Sequence, residues 1–381
     1  MKGLVVGGGI GGLCAAIRLS RTGHHVTVAE RRPCFEGVGA GIVLAPNAVR
    51  ALAALGVDLS DHVLPLPAME IRGKRGIVLR RFSTTALSPV YGPIWAVTRP
   101  ALHAALLKAL PPTVEIVTGV HVQTMQETAD GVEVSLGKSR HFDFVIGADG
   151  LYSTVRKILT QGQIRYSGTT CWRGLTKNPG FEDGLELWGG NVRLGVIPLR
   201  DGELYYYLVK TARKREPPLT WPSGFRSVFG SLGTTFEMLA STIHAAPPLH
   251  HDLEELTTPT WGCGHILLLG DAAHAMTPNL GQGAAMAIED AFALSDALAG
   301  GIKGALVRYR SLREHRVRKV VLGSRRLGAI AHWENPVACF VRDMATRLTP
   351  TFLASAQYRS LIVPGIELVA KGSHATSETG M

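Results

Sequence analysis

The stretch GLVVGGGIGGLCAAIRLSRTGHHVTVAE, residues 3–30, decides the fold. It opens with a short apolar run that ends in glycines, a pattern that predicts a buried strand. Residues 10–22 carry alanine, leucine and isoleucine at helical spacing, and HHVTVAE predicts a second strand that ends at Glu30. A strand, a helix and a strand in this order form the β-α-β unit that opens a doubly wound α/β sheet.

A glycine motif lies at the turn between the first strand and the helix. Gly7, Gly9 and Gly12 form G-x-G-x-x-G, in which the first glycine allows a tight turn and the second lets the backbone approach a pyrophosphate. The third lets helix and strand pack closely. Glu30 follows Gly12 by eighteen residues, where an acid accepts a hydrogen bond from a ribose hydroxyl. This context predicts a bound dinucleotide; glycines that serve only helix–strand packing are the alternative.

A second strand-to-helix turn lies at GDAAHAMTPNLGQGAAMAIEDA, residues 270–291, directly after the apolar run HILLLG. A proline, an asparagine and two glycines predict a turn, and the remaining residues predict a helix. The first N–H groups of a helix have no partner within it, and the helix dipole is positive there. The turn is therefore predicted to hold an anionic group.

The middle of the chain has a different pattern. Residues 161–261 alternate aromatic and β-branched side chains, which predicts an antiparallel sheet. We therefore expect an α/β fold with a discontinuous nucleotide-binding domain (1–65, 97–160 and 262–335) and an inserted β-sheet substrate domain (66–96 and 161–261). Helices are expected over 336–371, and the small polar residues of 372–381 predict a disordered tail.

Composition is that of an ordinary soluble protein: 381 residues, 46% hydrophobic and 18% charged, without an apolar run near the ~20 residues that span a bilayer. Five scattered cysteines, without C-x-x-C or metal-ligand spacing, favour a reduced cytoplasmic protein without a metal site. The net charge of +10 comes largely from residues 308–326, which are interpreted as a solvated helix face rather than a nucleic-acid site. The positive field favours anionic cofactors or substrates.

Three separated motifs stand in one order: GGGIGG at 7–12, DFVIGADG at 143–150 and GDAAHAMTPNLGQG at 270–283. Together they resemble the single-component FAD-dependent aromatic hydroxylases, a monooxygenase family that includes p-hydroxybenzoate and salicylate hydroxylases. TCWRG and HDLEEL further resemble the alkylquinolone 3-hydroxylase, and urate hydroxylase is also similar. The resemblance implies a Rossmann-type FAD-binding domain of the p-hydroxybenzoate hydroxylase kind, but these stretches leave the substrate open.

The resemblance also implies which residues bind FAD. Those near the pyrophosphate and adenosine are Gly7, Gly9, Gly11, Gly12, Glu30, Arg31, Val122, Asp149 and Gly150. Those near the ribityl chain and the flavin ring are Arg99, Asp271, Gly281, Gln282, Gly283 and Ala284. The helix end that contains the last four would stabilise the negative charge of reduced flavin. Asp271 as an N-cap and Asp149 as a turn residue are the alternatives.

The implied reaction uses NAD(P)H, O2 and a flavin C4a-hydroperoxide to hydroxylate an electron-rich aromatic or N-heteroaromatic ring. No second G-x-G-x-x-G is present, so NAD(P)H is expected to bind transiently. Pro278 is expected to line the flavin face, and by the urate hydroxylase pattern Arg193 and Tyr205 contact the substrate. Sheet packing is the alternative for Arg193 and Tyr205. A monomer or homodimer is expected.

Two other functions stay open at this level. An FAD-dependent epoxidase or lipid hydroxylase uses the same motifs, and a non-catalytic flavin-binding redox sensor shares the cofactor site. His274 is interpreted as a structural histidine. His250, His251 and Asp252 resemble a catalytic triad in composition, but they lie in one segment without a nucleophile.

Overall fold

A computed structural model describes residues 1–35, 39–74, 76–160, 162–243 and 248–377. The strands are β1 Lys2–Val6, β2 His25–Glu30, β3 Gly41–Leu44, β4 Leu64–Pro65, β5 Ala68–Gly73, β6 Val78–Ser83, β7 Trp95–Thr98, β8 Glu115–Thr118, β9 Met125–Glu127, β10 Val132–Ser135, β11 Ser139–Phe142, β12 Phe144–Gly147, β13 Ile164–Lys177, β14 Gly184–Trp188, β15 Val192–Pro198, β16 Glu203–Thr211, β17 Leu249–Leu256, β18 Gly262–Cys263 and β19 Ile266–Leu268. The helices are α1 Ile10–Arg21, α2 Pro46–Ala54, α3 Ser88–Tyr91, α4 Arg99–Lys108, α5 Thr154–Leu159, α6 Ser223–Phe229, α7 Thr234–Ala240, α8 Asp271–His274, α9 Gly283–Leu298, α10 Ala305–Ala331, α11 Pro336–Leu348 and α12 Thr351–Ser377.

The first sheet has six strands in the order β18-β19-β12-β1-β2-β8. All its pairs are parallel except β18 with β19, and Val5 lies beside Val28 on one side and Ile146 on the other. Parallel sheets are covered on both faces, which explains the almost unbroken apolar runs of β1, β12 and β19. The predicted β-α-β opening of a doubly wound sheet is confirmed.

The second large sheet has seven strands in the order β17-β13-β16-β15-β14-β5-β6. It is antiparallel as predicted except at one pair, because β14 lies parallel to β5. The β5–β6 hairpin arrives from an earlier part of the chain, and a parallel pair requires such a long crossover connection. The sequence pattern does not reveal this pairing, because a half-buried strand shows the same alternation of apolar and polar residues whether its neighbour is parallel or antiparallel.

Two of the hydrophobic clusters among the described residues position the site. The larger packs α1, α2, α9 and α10 against one face of the parallel sheet. A second fills the space between the seven-stranded sheet and helices α6 and α7. The two sheets therefore form separate layers, and the predicted ligand site lies between them.

The proposed domain boundaries stay a prediction. Helix α12 extends to Ser377, so the described part of the expected disordered tail is helical, and residues 378–381 lie outside the described residues, as does residue 161 at one predicted boundary. Within the described ranges, no helix combines the length and apolarity required to cross a bilayer.

Candidate active site

A single cleft of about 1610 Å³ collects almost every predicted site residue. This volume exceeds the ~300–1,000 Å³ typical of a pocket for one drug-sized ligand. Its wall includes Gly7, Gly9, Gly11, Glu30, Arg31, Arg99, Val122, Asp149, Gly150, Arg193, Tyr205, Asp271, Pro278, Gly281, Gln282, Gly283 and Ala284. Gly12 is the one predicted site residue that does not line it.

The glycine motif divides into packing positions and one open position. A Cβ on Gly7, where φ is +110°, would lie 2.5 Å from the Ala148 carbonyl oxygen. A Cβ on Gly12 would lie 2.0 Å from the Gly7 carbonyl oxygen, so Gly12 serves the close packing of α1 on the β1 turn. A Cβ on Gly9 would meet nothing within 4 Å. Gly9 therefore faces open space at the N-terminus of α1, which is a cradle for a ligand.

Glu30 lies at the end of β2 and lines the same end of the cleft. One carboxylate oxygen accepts from the Gly8 N–H at 2.8 Å, and the other accepts from the Arg32 N–H at 3.0 Å. A carboxylate has about four acceptor positions, so Glu30 retains capacity for a ribose hydroxyl.

The N-terminus of α9 forms the opposite end of the cradle. Gly281 has a φ of +62°, a left-handed conformation that favours glycine, and the turn passes through Gln282 into α9. No side chain caps this helix, and the Gln282 side chain is instead held by Asn47 through a 3.0 Å bond. The first N–H groups of α9 are therefore directed at the cleft, an arrangement that suits an anionic ligand.

A buried ionic network supports both halves of this turn, and the motif reasoning missed it. Asp290 accepts from the Gly270 N–H at 2.9 Å and contacts His274 Nε2 at 2.6 Å. Arg313 donates to Asp290 at 2.7 Å and to Glu289 at 2.7 Å. Two adjacent acids within the apolar run AAMAIEDAFAL are the signal that would have indicated such a network.

The two carboxylates of this network stay charged although they are buried. Burial alone raises a carboxyl pKa, but His274 and Arg313 together hold the pKa of Asp290 well below its usual range. Arg313 and Arg316 likewise lower the pKa of Glu289. The prediction that His274 is structural agrees with its position, since it is buried in this network.

Arg99 begins α4 and lies close to Asp271 in the cleft. Burial, with the charge of Arg173 nearby, lowers the pKa of the Arg99 guanidinium. Among the described residues its guanidinium has no hydrogen-bond or salt-bridge partner. A desolvated cation of this kind is expected to bind a ligand anion. Asp271 does not cap α8, whose N-cap is Gly270, so the capping alternative for Asp271 is wrong.

Asp149 lies in the turn before α5, and its predicted contact with the cofactor stays a prediction. Its carboxylate accepts from the Thr154 N–H at 2.6 Å and the Val155 N–H at 3.2 Å in the first turn of α5, whose N-cap is Ser153. It also lines the cleft beside Gly150, whose φ is +81°. The turn is thus held firmly at the middle of the cleft.

The β-sheet side of the cleft is polar near the turn that leads into α9. Tyr205 and Tyr207 on β16 line the cleft, while Tyr206 points into the opposite core, as strand alternation predicts. Burial raises the pKa of Tyr205 to about 12, so its hydroxyl stays protonated. Arg173 on β13 donates to Nε2 of His251. Burial, followed by the charge of Arg173, lowers the pKa of His251 to about 4.

Arg193 is buried, and its two terminal nitrogens are already engaged. One donates to Glu186 at 3.1 Å and the other to Asn279 Oδ1 at 2.6 Å. Glu186 also accepts from the Tyr207 hydroxyl at 2.6 Å. Arg193 therefore connects the β-sheet to the Pro278–Asn279 turn, and its charge is balanced by Glu186.

The other aromatic candidates lie outside the cleft, whereas His251 and Asp252 line it. Trp172 packs in the second core with the His250 ring stacked on it at 4.6 Å, and Trp188 is buried beneath Arg342. Neither they nor Trp95 line the cleft. His250, His251 and Asp252 lie on β17 rather than in a loop, because their segment pairs with β13.

Because of His332, the free energy of unfolding is expected to fall at acidic pH. Burial, with the charge of Arg193, lowers its pKa from 6.5 to about 3. The unfolded chain then binds a proton that the folded chain rejects, so the stabilisation present above pH 6.5 is lost as pH falls towards 3. His332→Gln is expected to reduce this loss by about 2–4 kcal/mol, measured by urea unfolding at pH 7 and pH 4. The exposed His315→Gln serves as control, and equal losses in parent and variant would contradict the assignment.

Comparisons with known proteins agree with this geometry. A family profile described as "FAD binding domain" matches residues 1–324. Aurachin C monooxygenase/isomerase of Stigmatella aurantiaca is 33% identical, and the match covers 93% of this chain and 96% of that protein. The 2-heptyl-3-hydroxy-4(1H)-quinolone synthase of Pseudomonas aeruginosa is 34% identical over 92% of this chain and 94% of its own.

A solved structure has the same architecture. Klebsiella pneumoniae HpxO, complexed with FAD and uric acid, superimposes with a TM-score of 0.86 at 27% identity and covers 96% of this chain and 97% of its own. The sequence-derived resemblance and the predicted fold class are therefore confirmed.

Proposed function

The chain belongs to this FAD-binding family and is a flavin-dependent monooxygenase of aromatic or heteroaromatic rings, and from this premise we propose that it hydroxylates an N-heteroaromatic ring with an apolar chain. NAD(P)H is the proposed reductant. The observation that carries the proposal is a cleft whose wall combines the polar side chains of Arg173, Tyr205 and Tyr207 with an apolar sleeve.

The cofactor end of the cleft fits FAD. The open backbone at Gly9 and the spare acceptor positions of Glu30 suit the pyrophosphate and ribose. The unpartnered Arg99 guanidinium suits the phosphate or ribityl region. When bound and reduced, FAD would activate O2, and O2 itself would supply the oxygen atom that is transferred.

The chain's own contribution at the ring end is electrostatic. The uncapped N-terminus of α9 presents N–H groups beginning at Gln282 and Gly283. They are rigidly held, since Asn47 fixes Gln282 and Asp290 fixes Gly270. Donors that are already oriented stabilise negative charge on the reduced ring without reorganisation.

The polar part of the cleft selects the reacting ring. Arg173 faces the cleft and forms no salt bridge within the described part of the chain, and its histidine partner is neutral near pH 7. Arg193, by contrast, is balanced by Glu186. We therefore assign to Arg173 the pairing with an anionic substrate oxygen, and to Arg193 the positioning of the Pro278–Asn279 turn. Tyr205, a protonated donor, orients the ring.

The apolar sleeve is proposed to bind an apolar chain of the substrate. Its wall is formed by Met69, Ile71, Phe82, Ile94, Ile197, Tyr358 and Leu361. Met69, Ile94, Ile197 and Tyr358 of this wall pack in one hydrophobic cluster. Each buried methylene of a chain placed there contributes about 0.8 kcal/mol, so affinity is expected to rise with chain length. Two relatives whose names denote a heptylquinolone product and aurachin C support this choice.

Substrate-stimulated NAD(P)H oxidation tests the proposal. We expect 2-alkyl-4(1H)-quinolones to stimulate oxidation and gain one oxygen atom by mass, with KM falling as the chain lengthens. Equal or better turnover of hydroxybenzoates would contradict the substrate class. Oxidation that no ring compound stimulates would favour the redox-sensor alternative, and an epoxide product would favour the epoxidase.

Arg173→Met is expected to lower kcat/KM for such a ring by roughly 10–100-fold, since a hydrogen bond to a charged group contributes about 1.5–3 kcal/mol. Steady-state kinetics and the ratio of product to NAD(P)H consumed measure the loss. Arg213→Met, on the exposed segment after β16, is the matched control. If Arg193→Met alone raised KM while Arg173→Met left it unchanged, the assignment of the two arginines would be reversed.

A further inference from the structure

Helix α11 presents its apolar face to solvent. Val337, Phe340, Val341 and Leu348 recur at helical spacing and are between 57% and 71% exposed. Phe352 and Leu353 at the start of α12 extend the same surface, with exposures of 71% and 45%. We define the α11 face as Val337, Phe340, Val341, Met344, Leu348, Phe352 and Leu353.

The orientation of α11 is fixed by its polar side, which faces the protein. Arg342 is buried, lies 5.2 Å from the centre of the Trp188 ring and donates to the Ala331 carbonyl at 3.3 Å. Arg80 on β6 donates to the carbonyl of Thr349 at 2.6 Å, just beyond the helix. A helix that buries an arginine and exposes a row of large apolar residues is inverted relative to an ordinary surface helix. Exposed apolar surface of this kind marks an interaction site.

The α11 face adjoins the apolar sleeve of the cleft. Ala354, next to Leu353, is part of the cleft wall, as are Gln357 and Tyr358 one turn farther along α12. Exposed residues of α10, including Lys319 and Arg326, line the wall as well, so the cleft reaches solvent between α10 and α12.

The surrounding charge distinguishes between occupants. Exposed cations include Arg347 on α11, Arg359 on α12, and Lys319 and Arg326 on the α10 side of the cleft. Glu334 is exposed, but Asp343 is paired with Arg342 at 2.7 Å, and the whole chain carries a net charge of +10. A second copy would bring the same positive charge to the contact. An anionic lipid surface complements it, and basic side chains beside an apolar helix face are typical of helices that lie in a membrane interface.

We propose that the α11 face docks on the surface of an anionic lipid bilayer, with α11 in the interface plane. In this orientation the opening between α10 and α12 lies close to the lipid. A substrate with an apolar chain then passes from the bilayer into the sleeve without crossing water. Docking itself is independent of the substrate class argued above, because it depends only on the exposed face and its charge.

Vesicle flotation of the FAD-loaded protein tests the proposal without any substrate. We expect flotation with vesicles that contain phosphatidylglycerol, weaker flotation with phosphatidylcholine alone, and a decrease at high salt because exposed charges are screened. Phe340→Asp combined with Leu348→Asp is expected to lower binding at least tenfold while flavin absorbance is retained. Val307→Asp, 72% exposed at the other end of α10, is the matched control and is expected to bind normally.

Three results would overturn the proposal. The first is an FAD-loaded protein that floats with neither vesicle type, and the second is binding that the double variant leaves unchanged. The third is a dimer in light scattering that the double variant converts to a monomer, since a second copy would then cover the α11 face. Hydroxylation of a short-chain substrate without vesicles reports on the proposed function separately, so either proposal can fail alone.

Discussion

An Arg313→Met variant is expected to lose about 3–5 kcal/mol of unfolding free energy, because removing one partner of a buried ion pair leaves its counter-charges uncompensated. Arg313 is fully buried, and it donates to both Glu289 and Asp290. Its removal leaves the two adjacent buried carboxylates with less compensating positive charge, since Glu289 keeps only Arg316 and Asp290 only His274 among the partners described above. Urea unfolding followed by circular dichroism measures the loss.

The exposed Arg310→Met is the matched control, since its ion pair with Glu314 lies at the surface of the same helix. We expect a much smaller loss there, because an exposed ion pair is screened by solvent. Adding Glu289→Gln and Asp290→Asn to Arg313→Met is expected to recover part of the stability by removing the stranded charges. A loss below about 1 kcal/mol in Arg313→Met would refute the role assigned to this network.

The same network explains why the loss of Arg313 is expected to weaken cofactor binding as well. Asp290 holds the backbone of Gly270, and Glu289 holds Asn47, which holds Gln282. Both ends of the turn that is proposed to face the flavin ring therefore depend on one buried cluster. We therefore expect the folded Arg313→Met variant to bind FAD more weakly than the parent.

Most of the cofactor half could be predicted from the sequence. A backbone that approaches a pyrophosphate requires glycine at few, closely spaced positions, and an anionic ring at a helix N-terminus requires another glycine-rich turn. Both requirements are local, so Gly7, Gly9 and Gly281 can be identified as candidates from the sequence alone. The β-α-β order follows equally from local hydrophobic periodicity.

The substrate half could not be predicted in the same way, because its contacts join distant segments. Whether Arg173 or Arg193 carries a free charge depends on which carboxylate lies beside it, and that is set by strand register across the sheet. The parallel pairing of β14 with β5 and the outward turn of the apolar side of α11 are likewise set by tertiary packing. Periodicity shows that α11 is amphipathic, but not which face is buried.

Substitution by alanine is expected to have different effects at Gly12 and Gly9 of the N-terminal motif. The first change is expected to lower stability, and the second is expected to lower FAD affinity. In Gly12→Ala the new Cβ would lie 2.0 Å from the Gly7 carbonyl oxygen, so α1 must move away from the strand. Overpacking of this kind costs about 1–3 kcal/mol or more, and urea unfolding of the FAD-free protein is expected to show it.

In Gly9→Ala the new methyl group meets no atom of the described residues within 4 Å, and the φ of −77° at this position is accessible to alanine. Stability without FAD is therefore expected to stay unchanged. The methyl group nevertheless occupies the space through which the backbone approaches the pyrophosphate, so FAD affinity is expected to fall at least about tenfold, or 1.4 kcal/mol. Fluorescence titration with FAD measures this loss. Equal affinity in parent and Gly9→Ala would mean that the pyrophosphate does not lie at this turn, whereas a stability loss in Gly9→Ala would assign the residue to packing.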